Sequence, residues 1–521
     1  MIKRYLKYLI LIPIIFNIFL ASRWVIDGNI FFHTDIARDF LLMEDIVENK
    51  NLTLLGPRSG AIPGLFHGPF WLYLNIPAFI AGEGDPVFVG WFWVILYILS
   101  LVFIYYAGRK MFGREEGMLA ALLLSSVTIL HVRSLFNPYG ALLLSPLFFY
   151  FFISYLKDFK IKNLVLSFLI LGFIIQFQMA FGVPILLLLM PYLIYYLIKN
   201  KKIIHLVSSA VLIIPLSSFL IFDLRNQFIQ LKSLSSYVLG SQSHGKLSLD
   251  WFQLLTMRIK ESAVDGLGAI TQNNLYLTIL LIFVFILGIF RIYKKGKDSK
   301  VVTFVNVFLF FYFGFWFFTI FFKGPVWNYY YLPFIPLIIL FFVLLKRAVN
   351  KIIFYSIFIL VYSFNLYTAF LDIGTYNPDA SKSDVSTWKF NKLVAQKVFD
   401  SRENEFGYFI FTPDLYGYSP RYALNYYQKK ILEKKVYPYE KKTVTYLVIA
   451  PAPEYGKDPN SLWYQKNTNS GIWRSNDIRI SKDPDFKFVF ENGFVIEKYN
   501  LSDEETKLAP NPYLIKDIFF R

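Results

Sequence analysis

The chain contains no cysteine and only five histidines in 521 residues. Disulfides and thiolate metal centres are therefore excluded. Charge is also scarce, with Asp, Glu, Lys and Arg making up 17% of the residues. Acids are rarer than bases, 36 against 53, for a formal net charge of +17. A balance this basic invites a nucleic-acid reading. The Lys and Arg residues, however, stand in short clusters between apolar runs, where orientation in a membrane accounts for them, so no nucleic-acid partner is expected. The polar parts hold no Gly-rich phosphate loop, so no nucleotide-sugar site is expected either.

What is abundant is apolar. Hydrophobic residues make up 56% of the chain and aromatics 20%, with a mean hydropathy of +0.46. A water-soluble fold of this size cannot bury so much apolar surface, which predicts an α-helical polytopic membrane protein. Crossing about 30 Å of hydrocarbon takes about 20 residues of helix. The sequence offers about eleven such runs, at 5–25, 87–108, 116–132, 139–156, 163–180, 181–198, 203–222, 275–292, 301–322, 329–345 and 352–371. The segment Tyr5–Trp24 lacks a small-residue cleavage site and is read as a span. If the spans alternate as given, six basic clusters fall on one side, at Lys3/Arg4/Lys7, Arg109/Lys110/Arg114, Lys157/Lys160/Lys162, Lys199/Lys201/Lys202, Arg291/Lys294/Lys295/Lys297 and Lys346/Arg347/Lys351. That side is expected to be cytoplasmic, with the N-terminus on it, in a cell-envelope (plasma) membrane.

The opposite side collects the polar chemistry. Residues 1–371 form the membrane domain, with a first extracytoplasmic loop over 26–86 and a second over 223–274, and residues 372–521 follow as an extracytoplasmic domain. In that last part, amphipathic spacing at Val385, Trp388, Leu393 and Val398 predicts a helix. Runs at 407–412, 444–450 and 486–490/494–498 predict strands, the last pair as a hairpin around Asn492-Gly493, giving a small α/β domain. The Ser- and Gly-rich stretch Ser233–Lys246 reads as a flexible segment over the mouth of a site.

One stretch organises the rest: His33-Thr-Asp35-Ile-Ala-Arg38-Asp39, directly after the first span. Read as a helix, it gathers Ile36, Phe40, Met43 and Val47 on one stripe and Asp35, Arg38 and Asp39 on another face. This predicts an interfacial helix with its stripe in lipid. A short apolar segment over 69–82, opened by Pro69, is read as a second interfacial helix. Gln176 and Gln178 are polar groups in apolar surroundings, lining a cavity or bonding a neighbouring helix. Cations are few on the extracytoplasmic side. Arg225, Lys323 and Arg133 are the candidates to meet a phosphate or to anchor at the interface, with Asn137 beside Arg133 and Tyr330 in an aromatic run. His33, His67 and His131 lie on the same side as Asp35 and Asp39. Only His33-x-Asp35 has compact ligand spacing, so His33 is a weak metal candidate and no cofactor or divalent metal is expected.

Asp35-Ile-Ala-Arg38 resembles the acidic Asp-x-x-Arg motif that GT-C membrane glycosyltransferases carry on a juxtamembrane helix in their first extracytoplasmic loop. This class includes the dolichyl-phosphate-mannose protein mannosyltransferases and the lipid A aminoarabinose transferase. His67-Gly-Pro69-Phe-Trp-Leu-Tyr73 is similar to the run that follows that motif in the family. Asn137 stands where the family places a second acid, and Ile36 where a paired acid commonly follows the first. The resemblance implies sugar transfer from a polyprenyl-phosphate donor, undecaprenyl or dolichyl, to a hydroxyl on a protein, lipid or glycan acceptor at the non-cytoplasmic face. It also implies inversion at the sugar carbon. Such chemistry needs a base for the acceptor hydroxyl, a role for Asp35, with Arg38, Asp39 and His67 beside it. The competing readings are a transporter or flippase of lipid-linked glycans and an inactive scaffold of an envelope assembly complex.

Overall fold

The computed structural model describes residues 9–59, 62, 64–238, 249–295, 299–322, 324–414, 416–452 and 468–514. The chain forms two compact units. One comprises Met1–Arg23, Leu52–Leu74 and Phe92–Gly374, the other Trp24–Asn51, Asn75–Trp91 and Thr375–Arg521.

The first unit is helical. Among the described residues, seven helices of the chain are long and apolar enough to cross a membrane: Pro86–Met111, Pro138–Asp158, Met179–Lys199, Ile203–Arg225, Leu275–Lys294, Lys300–Phe321 and Lys351–Thr375. The other expected spans are shorter or broken, each for a local reason. The first is helical over Leu11–Ala21, and its buried Asn17 donates to Ser125 Oγ at 2.8 Å. The run at 116–132 is α-helical only over Arg114–Val127 and continues as a 3-10 turn, Ile129–Ser134. Ser125, Ser126 and Thr128 there donate back to the carbonyls of Leu122, Leu123 and Leu124, a competition that loosens helix ends. The fifth run ends at Phe177, because Gln178 leaves the helical region at φ −145° and ψ 89°. The chain therefore breaks at Gln178, ahead of the boundary between the expected spans 163–180 and 181–198. At 329–345, two 3-10 turns precede Ile335–Leu344. Pro333 and Pro336 lack the N–H groups that a continuous helix would use there.

The second unit is built on five strands: β1 (Glu405–Phe411), β2 (Lys435–Pro438), β3 (Val444–Ile449), β4 (Phe486–Val489) and β5 (Val495–Asn500). Their order is β2-β1-β3-β5-β4. β1 pairs in parallel with β2 and β3, while β5 runs antiparallel to β3 and β4. Two strands, β1 and β3, and the β4–β5 hairpin match the alternation read from sequence; β2, four residues long, left no such pattern. Segment Tyr439–Lys442 joins two parallel strands on opposite sides of β1. It passes so close that a Cβ on Gly407 would lie 1.9 Å from the Glu440 carbonyl oxygen, so only glycine fits there. The expected helix is Trp388–Phe399, capped by the Thr387 hydroxyl, which leaves Val385 in the preceding turn.

Helix Thr34–Glu48 belongs to this second unit. Its stripe is covered by protein and not by lipid. Ile36, Phe40 and Met43 are buried, and the Phe40 ring lies 5.3 Å from those of Phe32 and Tyr422 and 6.0 Å from that of Phe79. Helix Tyr418–Lys430 supplies the rest of the seat. Asn425 donates to Glu44 at 2.9 Å, and Lys429 pairs with Glu44 and Glu48. The backbone is joined too, with Trp388 N–H donating to the Ile30 carbonyl at 3.0 Å. Periodicity reports that a face is buried but not what buries it, which is why lipid was expected.

A core ring differs from a lipid-facing one in its cost of removal. Phe40→Ala is expected to destabilise the second unit by about 3–5 kcal/mol, seen as a lowered melting temperature of the purified protein in detergent. A variant that melts like wild type would return the stripe to lipid.

Candidate active site

The site begins where the helix does. His33 is its N-cap, extended at φ −75° and ψ 173°, and its Nδ1 accepts from the Asp35 N–H at 3.3 Å. Burial lowers the His33 pKa, with Asp35 opposing that shift, so the ring stays neutral and keeps its acceptor at neutral pH. Asp35 stands in the first turn, where the helix dipole favours negative charge.

Arg38 lies one turn on and divides its guanidinium between two acids. Nη1 meets Asp35 Oδ1 at 2.6 Å, while Nε and Nη2 meet Asp39 Oδ1 at 3.0 and 2.8 Å. Arg38 and Asp39 are buried, whereas the Asp35 side chain keeps 49% of its exposure. The three groups carry one net negative charge. The arrangement presents that charge on Asp35, with the Arg38–Asp39 pair as its backing. Asp39 Oδ2 is buried without a hydrogen-bond partner among the described residues. Burial pushes the Asp39 pKa up to about 6, against the pull of Arg38. Arg38 thus pairs with two acids of its own helix, one exposed and one buried.

The first unit contains a cavity of about 610 Å³ lined mainly by apolar side chains, among them Met179, Val183, Tyr237 and Phe322, with His67 and Tyr330 on its wall. His67 is placed by backbone pairing, accepting from Gly56 N–H at 2.8 Å and donating to the Pro57 carbonyl at 2.9 Å. The next residue donates to the Gln176 carbonyl at 3.0 Å, and a Cβ on Gly68 would lie 1.8 Å from Gln176 Oε1, so this run seats only with glycine. Gln176 itself donates to Ser218 Oγ at 2.9 Å and to the Pro215 carbonyl. It thus bonds a neighbouring helix and does not line the cavity, while Gln178 is buried at the helix break.

Arg133, Asn137 and Arg225 do not line that cavity. Arg133 pairs with Asp372, its Nη2 3.1 Å from Oδ1. Asn137 donates to the Phe177 carbonyl at 2.7 Å, a tie between helices where an acid was sought. Arg225 ends helix Ile213–Arg225 and is exposed. Lys323 lies outside the described residues, as does most of the Ser233–Lys246 stretch. Among the described residues, no group of three or more His, Asp or Glu side chains gathers to hold a metal ion, and His33 serves as a helix cap.

Arg258 was not singled out by sequence, where it falls within the second extracytoplasmic loop, 223–274; it lies in helix Trp251–Glu261. It is fully buried. It donates to the carbonyls of Thr319, Phe322 and Gly324 at 3.0, 2.8 and 2.6 Å and pairs with Glu261 at 2.7 Å. Thr319 and Phe322 line the cavity, so Arg258 fixes one of its walls.

Residue 39 sets a testable pH dependence. A folded-state pKa of about 6, above the ordinary Asp value of about 3.9, means that the folded protein holds a proton the unfolded chain has released. The stability this contributes is complete below about pH 4 and is lost as pH rises through about 6. Melting curves across pH 4.5–7.5 are expected to show that loss in wild type and not in Asp39→Asn; parallel pH profiles would refute it.

Residues 69–222 match the family model described as dolichyl-phosphate-mannose-protein mannosyltransferase. No curated protein sequence matches the chain. Among solved structures, ArnT from Cupriavidus metallidurans in the apo state superposes with a TM-score of 0.58 at 10% identity, covering 96% of this chain and 99% of that one. The same protein bound to undecaprenyl phosphate gives 0.57 at 10% identity, covering 95% and 98%. Over nearly its whole length, the chain has the fold of ArnT, and it resembles the GT-C membrane glycosyltransferases in both comparisons.

Proposed function

We propose that the chain is a glycosyltransferase that moves a sugar from a polyprenyl-phosphate donor to an acceptor hydroxyl at the non-cytoplasmic membrane face. The observation that carries this reading is the Asp35–Arg38–Asp39 arrangement. A buried guanidinium is balanced by a buried carboxylate, and the net charge is left on one half-exposed carboxylate at a helix start. Burying a charged pair is costly, and a structural helix gains nothing from it that apolar residues would not supply. The ArnT-like fold and the match to the mannosyltransferase model support the same class.

In the proposed reaction, Asp35 accepts the proton of the acceptor hydroxyl. The oxygen attacks the anomeric carbon from the face opposite the phosphate, the bond from that carbon to the phosphate oxygen breaks, and polyprenyl phosphate leaves with the bonding pair. One displacement inverts the configuration. Arg38 and Asp39 are positioning residues that fix the Asp35 rotamer. The apolar cavity beside His67 and Tyr330 suits the isoprenoid tail of the donor. Arg225 and Lys323 are proposed to meet the phosphate. The reaction as written needs no cofactor.

Asp35→Asn keeps shape and removes the base. It is expected to lower transfer about 10²–10⁴-fold with donor binding retained, read with radiolabelled polyprenyl-phosphate sugars. Transfer at the wild-type rate would remove Asp35 from the chemistry. Val183→Trp fills the cavity and is expected to weaken donor binding, measured by equilibrium titration with the lipid phosphate. Unchanged affinity would place the tail elsewhere.

A further inference from the structure

Within the second unit, one loop reaches the helical turn that carries Asp35. The loop follows β1, and its Asp414 divides its two oxygens. Oδ1 serves the loop itself, accepting from the Tyr416 N–H at 3.1 Å, from the Gly417 N–H at 3.4 Å and from the Thr412 hydroxyl. Thr412 Oγ1 accepts in turn from the Gly417 N–H at 3.0 Å, so the loop is tied to itself before helix Tyr418–Lys430 begins. Oδ2 leaves the loop and accepts from the Thr34 hydroxyl at 2.7 Å, across 380 residues of sequence. Thr34 stands between His33, the N-cap, and Asp35. The strand-like entry to the helix is strapped to the same unit. The Ser419 hydroxyl donates to the Phe32 carbonyl at 2.7 Å, and Phe31 bridges to Thr387. Those ties stop short of the helix. The Thr34–Asp414 bond is made inside its first turn, one residue from Asp35.

The first turn of a helix is its least supported part, because its N–H groups have no partner within the helix. Asp35 sits in that turn with its side chain half-exposed. A reacting group held there loses rate steeply when it shifts, about 100-fold for roughly 1 Å. Arg38 steadies Asp35 from the next turn. Asp414 steadies the backbone on the other side, from a loop already made rigid by its own bonds. Building that loop takes Oδ1 alone; the bond from Oδ2 serves the helix. The loop stands at the carboxyl end of β1, which runs parallel to both of its neighbours. In open α/β sheets that end is where functional groups gather. We propose that Thr34 and Asp414 are positioning residues for sugar transfer, and that the C-terminal α/β part of the chain uses this bond to hold Asp35 where the acceptor hydroxyl meets it. The proposal rests on the glycosyltransferase reading and gives the sheet a part in the reaction.

The test follows transfer and the first turn together, on the full-length protein in detergent. Transfer is read as radiolabel moved to a cell-envelope extract from undecaprenyl- and dolichyl-phosphate carrying mannose, glucose or N-acetylglucosamine, with kcat and donor KM separated. The turn is read by hydrogen exchange at the amides of Asp35 and Ala37, which donate to His33 Nδ1 and to the His33 carbonyl. Thr34→Val removes the hydroxyl and keeps the shape. It is expected to lower kcat about three- to tenfold, with donor KM unchanged and exchange faster. Thr34→Ser returns the hydroxyl and should recover most of the loss. Asp414→Ala should cost a similar factor, and the double variant no more than the larger single loss, because both remove the same bond. Melting curves report that each variant folds. Equal transfer by wild type and a folded Thr34→Val overturns the role. So do losses that multiply in the double variant, or a Thr34→Ser as slow as Thr34→Val. Faster exchange with transfer at the wild-type rate also overturns it and leaves the bond a structural tie. A wild type that moves label from no donor is a different failure: it sinks the glycosyltransferase reading, and this role falls with it.

Discussion

A buried guanidinium must be answered by negative charge, and Arg38 is answered twice. Removing one partner of a buried pair costs about 3–5 kcal/mol because the other charge is left stranded, so Arg38 and Asp39 depend on each other to stay inside. Asp35 depends on them in turn. It lies at the edge of the pair, takes one N–H of the guanidinium, and keeps its remaining lone pairs toward solvent. The packing around the helix serves this arrangement. Phe40 and Ile36 lock the stripe, Lys429 and Asn425 hold the far end through Glu44, and His33 fixes the first turn.

The helical unit meets a different demand. Its long apolar helices are shaped at their ends by polar groups that find partners inside the chain, as bilayer hydrocarbon offers none. Asn17 meets Ser125, Gln176 meets Ser218, Asn137 meets a carbonyl, and Arg258 gathers three carbonyls into a wall. These contacts close the ends of broken helices and leave a large apolar cavity between them. A pre-formed cavity of this character favours a long flexible hydrocarbon, which loses its own freedom on entry but meets no unpaired polar backbone.

Much of this was legible in the sequence, and the failures have physical causes. The class followed from composition, two strands and a hairpin from alternation, and the Asp35-x-x-Arg38 unit from its charge density beside an apolar run. The seat of helix Thr34–Glu48 was not legible, because a stripe such as Ile36, Phe40 and Met43 looks the same whether it faces lipid or Tyr422. The break at Gln178 falls inside the expected span 163–180, because the chain turns there at a residue that carries no glycine or proline signal. Arg258 was hidden because a cation in a polar loop reads as solvated, and only the fold brings three carbonyls to it. Tertiary partners decide each of these cases, and no local pattern encodes them.

The central claim is that Asp35 supplies a carboxylate to the reacting hydroxyl. The most direct measurement is chemical rescue. Asp35→Ala, assayed for transfer from a polyprenyl-phosphate sugar, leaves a small space at a half-exposed position that formate can enter. Transfer that is near background without formate, rises with formate concentration and still yields the inverted product is the expected result. Substantial transfer by Asp35→Ala alone, indifferent to formate, would contradict the account.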